Sequence, residues 1–222
     1  MRDAFHEDLD NISDRLVEMT RLAGSAMSRA TTSLLDADLE LAESVIDADH
    51  QIDAIRNDID NLAVELIARQ QPVATDLRIV VTALHMASSL ERMGDLAEHV
   101  AKVTRLRFPD SAVPAEARGI ITDMGQVAVR LISQAGSIIA AKDVDAAKSL
   151  EADDDFMDRL HRSVFTMLAA DSWAHPTQTS VDLTLLSRYF ERFGDHAVSV
   201  ARQVVYLVTG EWEHRILAEE QA

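Results

Sequence analysis

The sequence contains no cysteine, which removes a disulfide framework, a thiolate metal site and a cysteine nucleophile together. Glycine and proline are scarce, at 7 and 4 residues, and aromatic residues make up only 5%. A β-rich domain needs frequent turns and strand-favouring side chains, so this composition disfavours one. No apolar run approaches the ~20 residues that span a bilayer. The N-terminal stretch MRDAFHEDLDNISDRL is charged and lacks the apolar core of a signal peptide. The expectation is a cytoplasmic protein with no direct membrane insertion. Basic residues are also in deficit, with 21 Lys and Arg against 38 Asp and Glu and a net charge of -17. Nucleic-acid binding relies on basic side chains to neutralise phosphates, so that class is set aside. Cations and basic protein surfaces remain.

What is present is apolar residues, 47% of the chain, recurring at helical spacing. Leu9, Ile12, Leu16, Met19 and Leu22 follow a three-to-four rhythm, as do Ile52, Ile55, Ile59, Leu62 and Leu66. The pattern predicts an all-α chain of six long helices, near 5–35, 38–70, 74–107, 115–141, 143–170 and 177–209. Asp38 and Asp143 stand where a side-chain oxygen caps the second and fifth helices. Pro72 closes the second helix, because proline lacks an N–H and disfavours helix just before it. Thr75 or Asp76 is then placed to cap the third. The stretch RFPDSAVPAE (107–116) carries two prolines and marks the boundary between halves.

The halves are copies. ERMGD (91–95) recurs as ERFGD (191–195) at an offset of 100. Asp38, Ala42, Ser44, Asp49 and Asp53 match Asp143, Ala147, Ser149, Asp154 and Asp158 at an offset of 105. The chain therefore divides into two tandem three-helix repeats, 5–108 and 115–210, with an acidic tail at 211–222.

Each repeat carries two acidic pairs at i, i+4 spacing, which places both carboxylates on one helix face. They are Asp49 and Asp53 with Glu91 and Asp95, then Asp154 and Asp158 with Glu191 and Asp195. In the first repeat both pairs lie about 21 residues from Pro72, roughly 30 Å of helix. The second repeat has the same mirror relation about SWAHP (172–176). Folding each hairpin brings four carboxylates level across one helix–helix seam. Clustered carboxylates repel and raise one another's pKa, and multivalent cations relieve this. Oxygen donors suit iron, manganese, magnesium or calcium, and zinc stays among the candidates. The alternative is an ordinary solvated face on which Arg56, Arg92, Arg159 and Arg192 form surface ion pairs. His99, one turn beyond Asp95, is a candidate nitrogen ligand at the edge of the first cluster. His196 points about 100° off the acidic face. His85 reads as a core-edge residue, and Trp173 and Trp212 as turn and tail packing.

The doubled ER-x-GD, the run RQQPVATDLRIV (69–80) and the paired three-helix units resemble the PhoU family across residues 5 to 210. The resemblance implies two three-helix bundles related by a pseudo-twofold. It implies multinuclear metal clusters held by E(D)xxxD pairs, including iron clusters. Carried over, these fall on Asp49, Asp53, Glu91 and Asp95, and on Asp154, Asp158, Glu191 and Asp195. It also implies a regulator that restrains a phosphate importer and its sensor histidine kinase when phosphate is plentiful. The expected partners are the phosphate ABC transporter ATPase, that kinase, and a second copy in a homodimer. Two departures stand out. Arg78 has no counterpart in the second repeat, and Asp153 or Asp155 competes with Asp154 within EADDDFMD.

Two other readings remain. A ferritin-like metalloprotein wants Glu-x-x-His on two helices, and this chain offers only Glu211 and His214, in the tail. A plain dimerisation module would leave the acidic faces solvated. No GxxxxGK[ST] loop or nucleophile–base pairing stands out, so the expectation is a protein that is not an enzyme.

Overall fold

The computed structural model describes residues 2–211, and the side chains of residues 7–211. Among them every regular element is helical: α1 (Arg2–Asp36), α2 (Leu39–Ala48), α3 (His50–Gln70), α4 (Thr75–Arg107), α5 (Ala115–Ala141), α6 (Val144–Leu168) and α7 (Thr177–Thr209). These are the six predicted helices, with the second interrupted at one residue. At Asp49 the amide reaches back only to Ile46 O, at 3.4 Å, a tight i−3 contact in place of the helical one. Asp49 keeps right-handed dihedrals, φ −58 and ψ −37, so the interruption is a local tightening and not a turn.

Local chemistry sets the ends. Asp38 accepts from Leu41 N at 2.9 Å, and Asp143 accepts from Asp145 N and Ala146 N at 3.0 Å, as the capping argument expected. The expected cap at Thr75 or Asp76 is not formed. Ala74 holds that position, without a side-chain bond, and Asp76 falls in the first turn, where its charge favours the helix dipole. His85, expected at the core edge, is exposed.

The first and third helices of each repeat make the core. α1 packs on α4 and α5, and α7 packs on α4 and α5. α2 and α3 lie outside on α1 and α4, while α6 lies outside on α5 and α7. Phe190, Phe193, Leu90, Met93, Met19, Met27, Ile121 and Met124 are fully buried among these helices. Each such side chain contributes roughly 1.5–3 kcal/mol relative to exposure. The α1–α5 seam displays the pseudo-twofold. Thr31 packs on Gly125 and Thr20 on Gly136, and these contacts exchange under the offset of 105. The repeats are thus parts of one core, although the sequence separates them at 107–116. That arrangement leaves the α3–α4 and α6–α7 seams flanking the packed pair α4 and α7.

Candidate metal centres

The first seam joins α3 to α4, and the second joins α6 to α7. Antiparallel packing puts the acidic pairs level in both. Asp49 Oδ1 lies 2.9 Å from where a Cβ on Gly94 would stand, and Asp154 Oδ1 lies 2.2 Å from that point on Gly194. The glycine of each pentapeptide is the seat of the facing carboxylate, and a methyl group would occupy the oxygen's place. This explains why both copies carry glycine despite a helix-propensity cost of about 1 kcal/mol.

Each seat is desolvated. Burial raises Asp49 from its ordinary 3.8 to about 6, with further repulsion from Glu98, Asp53 and Asp95, while Lys102 opposes it. Burial raises Asp154 from 3.8 to about 7, reinforced by Asp195, Asp158, Glu191 and Asp155. Glu91 is raised by burial and by Asp95, against Arg56 and Arg92. Glu191 is raised by burial and by Asp195, against Arg188 and Arg192. All four carboxylates of each predicted set therefore lie within electrostatic reach of others in the set. Within EADDDFMD the structure separates the three aspartates. Asp154 faces inward, Asp155 is exposed, and exposed Asp153 accepts from Gln134 Nε2 at 2.8 Å. Asp158 and Asp195 are exposed at the rim, while Asp53 and Asp95 are half-buried.

Three contributors were not among the predicted site residues. Glu98 exerts the largest charge effect on Asp49 after burial. It sits seven residues past Glu91, on the same face, and that spacing was a signal available in the sequence. His161 stands seven residues past Asp154, where the first repeat has Arg56. It meets Ser187 Oγ at 3.1 Å and the edge of Phe165. Its pKa is lowered, by burial first and then by Arg188. Lys102 binds Glu98 at 2.5 Å and so balances the first seam. Of the histidines that were weighed, His99 directs Nδ1 to Asp95 O at 2.6 Å and its ring to Tyr189, so that nitrogen already has a backbone partner. His196 is half-buried, with its pKa lowered by burial and by Arg192.

The donor set fits a hard multivalent cation. Asp154 Oδ1 and Glu191 Oε2 are buried with no hydrogen-bond partner, the condition a bound cation would relieve. As the side chains stand, no three Asp, Glu or His groups among the described residues close around a common point. Arginines hold the rims: Arg92 takes Asp95 at 2.6 Å, and Arg188 takes Glu191. A cation would draw those carboxylates off their arginines and toward the orphaned oxygens.

Arg78, which lacks a counterpart, lies over the Tyr206 ring at 5.9 Å and against Gly210, at the end of α7. At the opposite end Arg107 donates Nε and Nη2 to the buried Asp182 at 2.6 and 2.8 Å. The repeat places Leu207 and Thr82 at the equivalent positions. The two ends of the core are thus fastened by different chemistry.

Comparison with known proteins follows the same division. The PhoU domain matches twice, at residues 16–104 and 121–204. The phosphate-specific transport system accessory protein PhoU homolog 2 of Mycobacterium bovis is 48% identical over 210 residues, covering 95% of this chain and 99% of that protein. PhoU homolog 1 of Mycobacterium leprae is 47% identical, covering 95% of each. The crystal structure of PhoU from Pseudomonas aeruginosa superposes with a TM-score of 0.84 at 29% identity, covering 93% of this chain and all of that one. With a duplicated three-helix unit, a paired acidic seam in each copy and a domain match to each copy, this chain belongs to the PhoU family.

Proposed function

We infer that this chain regulates phosphate uptake and the phosphate-starvation response, restraining the phosphate importer and its sensor-kinase signalling when phosphate is plentiful. The observation that carries this reading is family membership. Near-half identity extends over almost the whole chain to proteins named as accessory to phosphate-specific transport. The protein acts by binding and not by turnover. Its partners are the ATPase of the phosphate ABC transporter and a sensor histidine kinase, met in the cytoplasm by a homodimer. In support, no helix among the described residues is long and apolar enough to cross a membrane. Val64, Val73 and Leu77 also leave exposed apolar area around the α3–α4 turn, of the kind that marks protein contacts.

Multivalent cations belong to the same reading. One set would be held by Asp49, Asp53, Glu91 and Asp95, with Glu98 beside it, and the other by Asp154, Asp158, Glu191 and Asp195. Iron clusters, which the family resemblance implies, head the candidates, and manganese, zinc, magnesium and calcium remain open because carboxylate oxygens accept them too. A bound cation would neutralise the seam and lock the outer helix of each repeat to its third helix. Support comes from the orphaned oxygens of Asp154 and Glu191 and from the raised pKa values at all four inner carboxylates.

A clean deletion tests the regulation. Phosphate-starvation genes should become constitutive in phosphate-rich medium, and normal repression, with no second copy of the gene present, would overturn the reading. Elemental mass spectrometry of untagged protein tests the cations separately. Metal in the wild type that is lost in the Glu91→Ala, Glu191→Ala variant is the expected result. Wild type that stays empty after incubation with these ions would leave a structural acidic face.

A further inference from the structure

The two ends of the four-helix core are related by the internal repeat, yet they are closed differently. Where α4 hands over to α5, the linker folds back into the core. It buries Ala112 and Val113, at 6% and 2% exposure. Ser111 clamps this plug, its Oγ accepting from Val113 N at 3.2 Å and donating to Val113 O at 3.1 Å. The equivalent end lies where α1 and α4 begin and α5 and α7 finish. There the core opens into a cavity of about 140 Å³, with Leu16, Ile79, Met86, Ile139 and Val204 on its apolar walls. Its polar lining comes from Asp10, Ser13, Asp76 and Lys142. A cavity of ~150 Å³ is enough to take a benzene-sized ring.

The chain that would supply the matching plug is the one that follows α7. At the offset relating α4 to α7, Ala112 and Val113 correspond to Trp212 and Glu213. The end of α7 lies beside the cavity. Leu207, in its last turn, lines the wall. Gly210 then turns the chain at φ 79, against Arg78 of α4, two residues from the lining residue Asp76. The remaining segment, EWEHRILAEEQA (211–222), carries Trp212, Ile216 and Leu217 as apolar groups. It also carries Glu213 and Arg215, opposite in sign to Lys142 and to Asp10 and Asp76 respectively.

We propose that this cavity is the docking site of the chain's own C-terminal segment, with the Trp212 indole entering it as the counterpart of the Ala112–Val113 plug. The segment seals the first repeat's end of the core as the linker seals the second's. The apolar wall of Leu207 stands where the other end has the charged Arg107, so this end suits an apolar side chain.

The test reads Trp212 directly. The chain has two tryptophans, so Trp173→Phe leaves Trp212 as the sole emitter. In that variant the emission should be blue-shifted, shielded from acrylamide and independent of protein concentration. Adding Ser13→Phe, which fills the cavity from its lining, should shift the emission to the red and restore quenching, with helicity retained. Deleting residues 211–222 should create a site for an anilinonaphthalene sulfonate probe that the full chain binds at least tenfold more weakly. Water-like, freely quenched Trp212 in the single-tryptophan variant would overturn the proposal, whether or not the double variant folds. So would equal probe binding by full and truncated chains. A blue shift that appears only as concentration rises would overturn it in favour of a second copy's tail.

Discussion

The two acidic seams share a ligand pattern and differ in what surrounds it. The first has cations built in. Arg92 holds Asp95, Lys102 holds Glu98, and Arg56 acts on Glu91. The second replaces Arg56 with His161 and Glu98 with Val198, and adds Asp155 beside Asp154. Its inner aspartate is raised further, to about 7 against about 6, and two of its carboxylate oxygens have no partner. Duplication preserved the seats and the glycines that make room for them. Divergence then changed the neighbours: the first seam carries Arg56 and a Lys102–Glu98 pair, while the second keeps Arg188 on Glu191 and has two buried carboxylate oxygens without a hydrogen-bond partner.

The ends of the core allow the strongest break of the symmetry. Arg107→Ala should cost about 3 kcal/mol in urea unfolding, because it strands the buried Asp182 carboxylate. Arg107→Leu with Asp182→Thr, which copies the other end, should recover most of that loss. A single-variant loss under ~0.5 kcal/mol would show the pair to be as dispensable as a surface ion pair.

The glycine seats come next. Gly194→Ala puts a methyl group 2.2 Å from Asp154 Oδ1 and 3.3 Å from Leu131 Cδ1, and should destabilise by ~1–2 kcal/mol as an overpacked site. Gly94→Ala meets Ile52 Cδ1 at 2.8 Å and Asp49 Oδ1 at 2.9 Å, a milder overlap than the 2.2 Å at Gly194. There the gain in helix propensity of about 1 kcal/mol should offset most of the strain. Thermal melts of the two variants side by side decide it, and equal losses would remove the asymmetry.

Cation and pH dependence sharpen the contrast. If the second seam depends more on cations, Asp154→Asn should abolish a larger share of the chelator-sensitive rise in Tm than Asp49→Asn does. Without metal, the raised carboxyls bind protons in the folded state that they would release when unfolded. Their contribution to stability is therefore fully present below about pH 4 and is lost as pH rises, through about 6 for Asp49 and about 7 for Asp154. Chelated protein should lose stability across that window, and Asp154→Asn should flatten its upper part. A profile unchanged by Asp154→Asn would show that this carboxyl is not desolvated.

The smallest expected effect is at Glu98. Glu98→Val makes the first seam resemble the second at that position and removes the leading charge acting on Asp49. The Asp49 carboxyl, followed by carbon NMR, should titrate closer to its ordinary value. Stability should move by no more than ~0.5 kcal/mol, since the pairing given up is to Lys102, whose ammonium side chain is 42% exposed, and the repulsion on Asp49 goes with it.

Much of this was legible without coordinates because helical spacing and turn positions are local properties. The i, i+4 carboxylates, the mirror distances to Pro72 and SWAHP, and the caps at Asp38 and Asp143 follow from 3.6 residues per turn and side-chain hydrogen bonding. Levelness across each seam then follows from chain length alone. Tertiary structure decided what spacing cannot carry. It showed that Gly94 and Gly194 receive a carboxylate and that Asp154, and not its neighbours, turns inward. It also brought Glu98 within electrostatic reach of Asp49, and Arg107 onto Asp182, 75 residues away. Those facts depend on which helix faces meet and on how much water their meeting excludes, and desolvation is a property of the assembled core that no single helix possesses.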